Sequence, residues 1–306
     1  MSRHRPLVSV ILPFLNAGAA FHPAVRSILH QSYTNLELLL CDDGSRDSSL
    51  EWARSLSDPR LAVWSDGKSK GLASRLNECI DRARGSLIAR MDADDVSYPE
   101  RLEKQVAFLA ERPELDLAGC QMLVFGEDGQ VLGKRNVPLD HAQITRNPAL
   151  GFGLAHPTWL VRAEWYRKHY YNAKALRFED AELLFRSHAT SRFANLPDVL
   201  YGYRELRGGF RKRYETRAGL VRYLKMHRES LGVALYYRAA AAEAVKTILD
   251  AGLTGLSCRY LMLRVRDGRL GTSEIAEWQR IYDALSSIDP VTHARTLPFP
   301  REAAGT

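Results

Sequence analysis

Residues 87–95 read Leu-Ile-Ala-Arg-Met-Asp-Ala-Asp-Asp: an apolar run that passes directly into three carboxylates within four positions. Leu87–Met91 has the composition of a strand covered on both faces. Asp92-Ala93-Asp94-Asp95 then stands where that strand ends. Negative charge this concentrated is unfavourable unless a cation or solvent compensates it. Hard carboxylate oxygens suit Mg²⁺ or Mn²⁺, commonly one or two of them together with substrate phosphates. Taken alone, the run reads as a solvated turn ahead of a helix, where acidic residues are favoured. Its place in the fold decides between the two readings.

Three strand–helix units precede it. Leu7–Leu12 (LVSVIL) is a continuous apolar strand, followed by a helix with Val25, Ile28 and Leu29 on one side. Leu36–Cys41 (LELLLC) is the second strand, and Asp47 is the expected N-cap of a helix beginning at Ser48. Leu61–Trp64 is a short third strand; Gly71 opens a helix with the stripe Leu72, Leu76, Cys79, Ile80 and Ala83. After the acidic cluster, Pro99 is expected in the first turn of a helix carrying Leu102, Val106 and Leu109. This alternation predicts an α/β fold with a mostly parallel sheet flanked by helices. Such sheets bind ligands beyond the carboxyl ends of their strands. Pro13–Asn16, Asp42-Asp43-Gly44-Ser45 and Asp92–Asp95 all fall there.

The pattern then changes. Leu115–Phe125 and Val131–Val137 flank Glu127-Asp128-Gly129, a hairpin turn. Phe193–Tyr203 is expected as two short strands around Asn195-Leu196-Pro197. From Arg211 onward the pattern is helical, with Ile275, Trp278, Ile281, Tyr282 and Leu285 on one helix face, Ser273 as its N-cap, and a loosely ordered tail over 289–306. The expected organisation is a catalytic domain over 1–210, with halves 1–125 and 126–210, and a basic helical region over 211–306.

Composition narrows the class. The chain has 306 residues, 45% hydrophobic and 26% charged, which suits a soluble globular protein. Four cysteines, far apart and without a CxxC pair, are expected as reduced, buried thiols. The run Leu7–Leu15 behind Arg3 and Arg5 mimics a signal peptide, but Pro13 interrupts it and a buried strand fits better. With no uncharged stretch near the ~20 residues of a membrane span, the expectation is a cytoplasmic protein. The net charge is +7, and nine Lys/Arg against two Glu fall between Arg204 and Arg228. That segment is either a solvated helix face or a surface for anionic lipid at the inner face of the plasma membrane, a phosphorylated substrate or nucleic acid. A homodimer interface is a further reading. No recognition motif accompanies Tyr214 and Tyr223, so specific nucleic-acid binding is not expected.

The motifs together resemble a family 2 glycosyltransferase with the GT-A fold. The resemblance rests on Val8–Asn16 (VSVILPFLN), Cys41–Ser45 with Asp47, Lys70–Arg75 with Asn77, and Ala89–Gln105 (ARMDADDVSYPERLEKQ). It continues through His156-Pro157-Thr158, Phe178–Phe185 (FEDAELLF) and Asn195–Arg204 (NLPDVLYGYR). It implies an inverting enzyme that moves a sugar from a UDP- or dTDP-type nucleotide sugar to a glycan or lipid-linked glycan acceptor, in bacterial cell-surface polysaccharide synthesis. It places Pro13, Phe14 and Asn16 beside the nucleotide base, Asp43 with Asp42 on that base, and Lys70, Gly71 and Arg75 on the nucleotide sugar. Asp92-Ala93-Asp94 matches the DxD motif, with Asp94 and Asp92 toward a Mn²⁺ or Mg²⁺ ion and Asp95 in support. Asp180 matches the catalytic base, Glu179 lies beside it, and His156 is a lower-ranked site residue.

Two departures bear on that reading. Ser69 stands where many relatives have Asn. Tyr203-Arg204 is followed by Glu205-Leu206-Arg207, without the His that some relatives use as a metal ligand, so Arg204, Arg207 or Arg211 are candidates for the leaving diphosphate. A nucleotidyltransferase is the alternative enzyme, but it would show a Gly-rich phosphate loop where Pro13-Phe14-Leu15-Asn16 stands. A non-catalytic nucleotide-sugar-binding module would be expected to lack Asp94 or Asp180, and both are present.

Overall fold

A computed structural model describes residues 5–148, 151–205, 210–253 and 270–287. Strands Val8–Phe14 (β1), Leu36–Asp42 (β2), Leu61–Ser65 (β3) and Leu87–Arg90 (β4) form a parallel array in the order β3-β2-β1-β4. Every residue of β1, β2 and β4 is buried. Their side chains alternate between two cores. Val8, Val10, Leu12 and Phe14 face helices Phe21–Leu29 (α1) and Arg101–Glu111 (α4), while Ile11, Leu39 and Cys41 face helix Leu72–Arg82 (α3). Helix Ser49–Ser55 (α2) packs on the α1 side through Ala53.

Beyond β4 the sheet is mixed: Phe193–Arg204 runs parallel to Leu117–Phe125, while Val131–Arg135 and Leu160–Arg162 run antiparallel to their neighbours. Leu160–Arg162 (β8) runs antiparallel to β4 and to Leu117–Phe125 (β6), while Val131–Arg135 (β7) closes a hairpin on β6. The hairpin turn lies where expected: Gly129 has φ +80°, and Gly126 N donates to Gln130 O at 2.9 Å. The segment 193–204 is one twelve-residue strand (β9), not two short ones. Its pairing with β6 jumps from Cys120–Leu196 to Gln121–Val199. Pro197, which has no N–H to give the ladder, is accommodated in that irregularity. The two-residue strand Val96–Ser97 (β5) pairs with β9 just after the acidic cluster.

Helix starts differ slightly from expectation. Pro99 precedes α4 by two residues. The α4 amide Leu102 N is instead taken by Gln31 Oε1 at 3.0 Å. Asp47 lies one residue before the N-cap Ser48, and its Oδ1 accepts from Ser49 N at 3.1 Å. Helices His141–Ile144 (α5), Ala163–Lys168 (α6) and Glu179–Ser187 (α7) follow, then Phe210–Met226 (α8), Arg228–Leu231 (α9) and Val233–Leu253 (α10). The last described helix, Thr272–Ser287, starts at Thr272, so Ser273 is inside it rather than capping it. It returns to the sheet. Trp278, Ile281 and Leu285 pack on Val96, Tyr98, Leu123 and Phe125. Trp278 Nε1 donates to Gly129 O at 2.8 Å, and Arg26 Nη1 to Leu285 O at 2.9 Å. The tail over 289–306 lies outside the described residues, as does Cys258. The other three cysteines are buried and unpaired.

Candidate active site

The carboxyl ends of β1, β2 and β4 open onto a cavity of about 830 Å³. Pro13 and Phe14 supply one wall, Asp43, Lys70, Gly71 and Arg75 another, and Asp92 with Arg90 the floor. A second cavity of about 380 Å³ shares Arg90, Asp92 and Tyr203 with it and adds His156 and Asp180. The topology thus joins residues far apart in sequence, and Asp92 stands at the junction.

Asp43 organises the second of the larger cavity's walls. Its carboxylate accepts from Lys70 N at 2.6 Å, Gly71 N at 3.1 Å, Ser69 Oγ at 3.1 Å and Arg75 Nε at 3.0 Å. Arg75 is fully buried and spends the rest of its guanidinium on Glu78 at 2.8 Å and Asp66 at 2.6 Å. Lys70 Nζ is held by Asp66 and Glu78 at 2.6 and 2.7 Å. These side chains build a rigid loop. Gly71 ends that loop at φ +84°, a conformation other residues avoid.

Asp42 and Asn16 join loops. Asp42 accepts from Ser45 N at 2.9 Å and Ser65 Oγ at 2.6 Å. Burial pushes its carboxyl up, but these bonds and that from Gly44 N outweigh it and hold the group below its usual value. Asn16 Oδ1 accepts from Arg46 N at 2.8 Å, and its own N–H donates to Ser45 Oγ at 2.9 Å. Asn16 therefore fastens the loop after β1 to the loop after β2, and Leu15 takes its expected place on the cavity wall.

The acidic cluster divides its labour. Asp92 Oδ1 pairs with Arg90 Nη2 at 2.5 Å. Ala93 packs against the core. Asp94 gives its carbonyl to Arg204 Nε at 2.7 Å. Asp95 is buried, accepting from Tyr201 Oη at 2.9 Å and Arg204 N at 2.7 Å. Burial, with Asp92 and Asp94 close by, pushes its carboxyl well above the usual range. Asp95 thus ties the strand end to β9.

Across the junction, Glu179 and Asp180 open α7. Burial raises the Asp180 carboxyl above its ordinary value; the Ala181 N–H and Arg90 act against that, and Asp92 with it. Glu179 is raised by burial and by Asp180. His156 Nε2 meets Tyr171 Oη at 2.7 Å, and Tyr171 Oη meets Tyr166 Oη at 2.8 Å. Burial and Arg90 push His156 well below its usual value, so the ring is neutral near pH 7.

Arg204 departs from its expected role. Its guanidinium lies over the Phe125 ring at 4.7 Å and bonds backbone carbonyls, away from both cavities. Arg207 lies outside the described residues, as does the side chain of Arg211. Arg177 and Arg222 line the larger cavity instead. Sequence reading counted Arg222 only within a basic segment and passed over Arg177 and Arg90. Their proximity to Glu179-Asp180 and to the acidic cluster was the available signal. Among the described residues no three His, Cys, Asp or Glu side chains converge as a metal-binding group.

A sheet of this order, with an acidic strand end facing a carboxylate pair across a cleft, is the architecture of GT-A glycosyltransferases. The sequence profile of glycosyl transferase family 2 matches residues 9–170, and the chain belongs to that family; it is a glycosyltransferase. It is 40% identical over 220 residues to the putative glycosyltransferase EpsE of Bacillus subtilis, covering 69% of this chain and 77% of that one. It is 29% identical over 147 residues to WfgD of Escherichia coli, a UDP-Glc:alpha-D-GlcNAc-diphosphoundecaprenol beta-1,3-glucosyltransferase, covering 47% of this chain and 57% of that one. Among solved structures, the mannosyltransferase PcManGT of Pyrobaculum calidifontis, in complex with GDP-Man and Mn²⁺, superposes with a TM-score of 0.58 at 17% identity, covering 92% and 87% of the two chains. That similarity shows the fold.

Proposed function

We propose that the protein is an inverting glycosyltransferase of bacterial cell-surface polysaccharide synthesis, moving a sugar from a UDP- or dTDP-type donor to an acceptor hydroxyl. The observation that carries this is the pair of cavities meeting at Asp92, with Asp180 in the smaller one. The larger has the size of a small-molecule ligand site. Pro13, Phe14 and the loop fixed by Asp43 hold the nucleotide, and Asp92 with Arg90 faces the sugar. An acceptor in the smaller cavity presents its hydroxyl to Asp180, which takes the proton as the oxygen attacks the anomeric carbon. Attack opposite the leaving diphosphate inverts that carbon, and the carboxylates favour the oxocarbenium-like transition state.

Mn²⁺ or Mg²⁺ fits the donor set: Asp94 and Asp92 would hold it together with diphosphate oxygens, the usual arrangement for these hard cations. When bound it supplies charge neutralisation for the leaving diphosphate. Arg177, on the wall of the larger cavity, approaches the same leaving group. A panel of nucleotide sugars, scored for release of nucleoside diphosphate and for product anomeric configuration by NMR, tests the reading. Release of pyrophosphate or a retained configuration would refute it.

The division at residue 210 and a cytoplasmic location at the inner membrane face belong to the same proposal. No helix among the described residues is long and apolar enough to cross a membrane. Val233, Tyr237, Val245 and Ile248 are exposed and fall on one face of α10 by their spacing, which supports peripheral contact. Liposome co-sedimentation tests it; dimerisation through that face is the competing outcome.

A further inference from the structure

A groove of about 510 Å³ lies beside the cleft, between the 174–178 segment, α7 and α8, and the reaction above leaves it unused. Lys174, Arg222, Lys225 and Arg228 stand around it. None of the four has an ion-pair partner among the described residues. Two carboxylates also line it, Glu182 and Glu229. Glu182 is already neutralised, its Oε1 accepting from Arg186 Nε at 2.7 Å. The groove is therefore net positive. Its wall is also apolar: Leu176 is 61% and Met226 49% exposed, above the stacked rings of Phe178 and Tyr223.

Unpaired cations beside exposed apolar side chains in one concavity match a ligand that is both anionic and apolar. A nucleotide sugar has no apolar tail, so the donor does not explain the groove. Position points to the acceptor. Leu176 and Arg222 line both the groove and the larger cavity, so the two are continuous. Phe178 and Glu182 in the groove flank Glu179 and Asp180, so its occupant lies within a helical turn of the base.

We propose that this groove holds the diphosphate and first isoprene units of a polyprenyl-diphosphate-linked acceptor, whose sugar passes Leu176 to reach Asp180. The proposal rests on the transferase reading above. The diphosphate sits among Lys174, Arg222, Lys225 and Arg228, and the lipid lies on Leu176 and Met226.

Farnesyl diphosphate is the probe, titrated calorimetrically into the full chain. Lys225→Gln/Arg228→Gln and, separately, Met226→Asp should each raise its Kd at least tenfold with the melting temperature unchanged, because all three side chains are exposed. Inorganic pyrophosphate should bind at least tenfold more weakly than farnesyl diphosphate. Equal affinity for the probe in wild type and variants, or pyrophosphate binding as tightly as the probe, overturns the proposal. Phosphatidylglycerol vesicles free of polyprenyl lipid should not displace the probe; displacement assigns the groove to the bulk membrane surface and overturns it too. The two readings fail separately. Donor turnover with variant-insensitive probe binding removes the groove alone, whereas tight, variant-sensitive binding without turnover of any nucleotide sugar removes the reaction proposed above and leaves the groove.

Discussion

Asp180 stands at the first turn of α7, partly open to the smaller cavity and otherwise enclosed by protein. Enclosure disfavours its charged form, while Arg90 and the Ala181 N–H favour it. In the proposed reaction the base works as a carboxylate, so activity is present above its pKa and lost as pH falls through it. Because the balance is upward, the acid limb of kcat/KM should lie above the range of an ordinary aspartate, about 3.9. Arg90→Gln, which removes an opposing cation, should move that limb further up; a pH–rate profile of the two proteins reads it. Asp180→Asn should lower kcat by about 10²–10⁴-fold, the usual contribution of a general base, while nucleotide still shifts the melting temperature. Asp43 makes a different prediction. It is buried against Arg75 and carries the 69–71 loop. Asp43→Ala leaves a buried guanidinium short of a partner and should cost about 3–5 kcal/mol in urea unfolding, with donor binding lost as well. The residue types at these positions were legible in the sequence. Their partners were not, since a carboxylate that builds a loop and one that reads a base are written with the same letter.

At the scale of elements, the strands of the first hundred residues were readable because burial on both faces leaves an uninterrupted apolar run. β9 was misread as two strands because Pro197 looks like a stop. A register jump absorbs it, and no local pattern reveals a register jump. The last helix shows the same limit. Its stripe of Trp278, Ile281 and Leu285 announces a buried face, but the face's partner, the far edge of the sheet more than a hundred residues earlier, is a tertiary fact. Two glycines make that docking possible. A Cβ on Gly202 would meet the Trp278 ring at 2.3 Å, and one on Gly129 the Tyr282 ring at 2.3 Å. Gly202→Ala should therefore displace Trp278 and destabilise the protein by about 1–3 kcal/mol, the usual cost of overpacking. Urea unfolding followed by tryptophan fluorescence checks it, and an unchanged midpoint and emission would show that the helix does not depend on this contact.

At the scale of the whole molecule, strand order gives the acidic cluster its meaning. A run of three aspartates reads as a solvated turn until β4 is seen between β1 and β8, its end opening on a cleft that Asp180 shares. The cluster's place at the ligand edge followed from the βα alternation; β8 as the neighbour of β4 and Asp180's share of the cleft did not. The second cavity, the place of Arg177 and Arg222, and the inward stacking of Arg204 came only from the return of the chain through β9 and α8. The same layout predicts how a metal would engage. Asp92 commits one oxygen to Arg90, Asp95 is turned into β9, and no three candidate ligands converge among the described residues. A cation offered at most two carboxylates has too few protein ligands for tight binding and needs the donor diphosphate to complete its shell. Metal should therefore not be part of the resting fold, and it should bind in concert with nucleotide. Anything that binds the native state raises the melting temperature in proportion to its occupancy. Excess chelator should leave the melting temperature of the free protein unchanged while abolishing transfer. Mn²⁺ alone should shift it little, and Mn²⁺ with nucleoside diphosphate should shift it by more than the sum of the two added separately. Asp94→Ala should remove that excess. A large shift with Mn²⁺ alone would mean that the protein completes a metal site without its substrate.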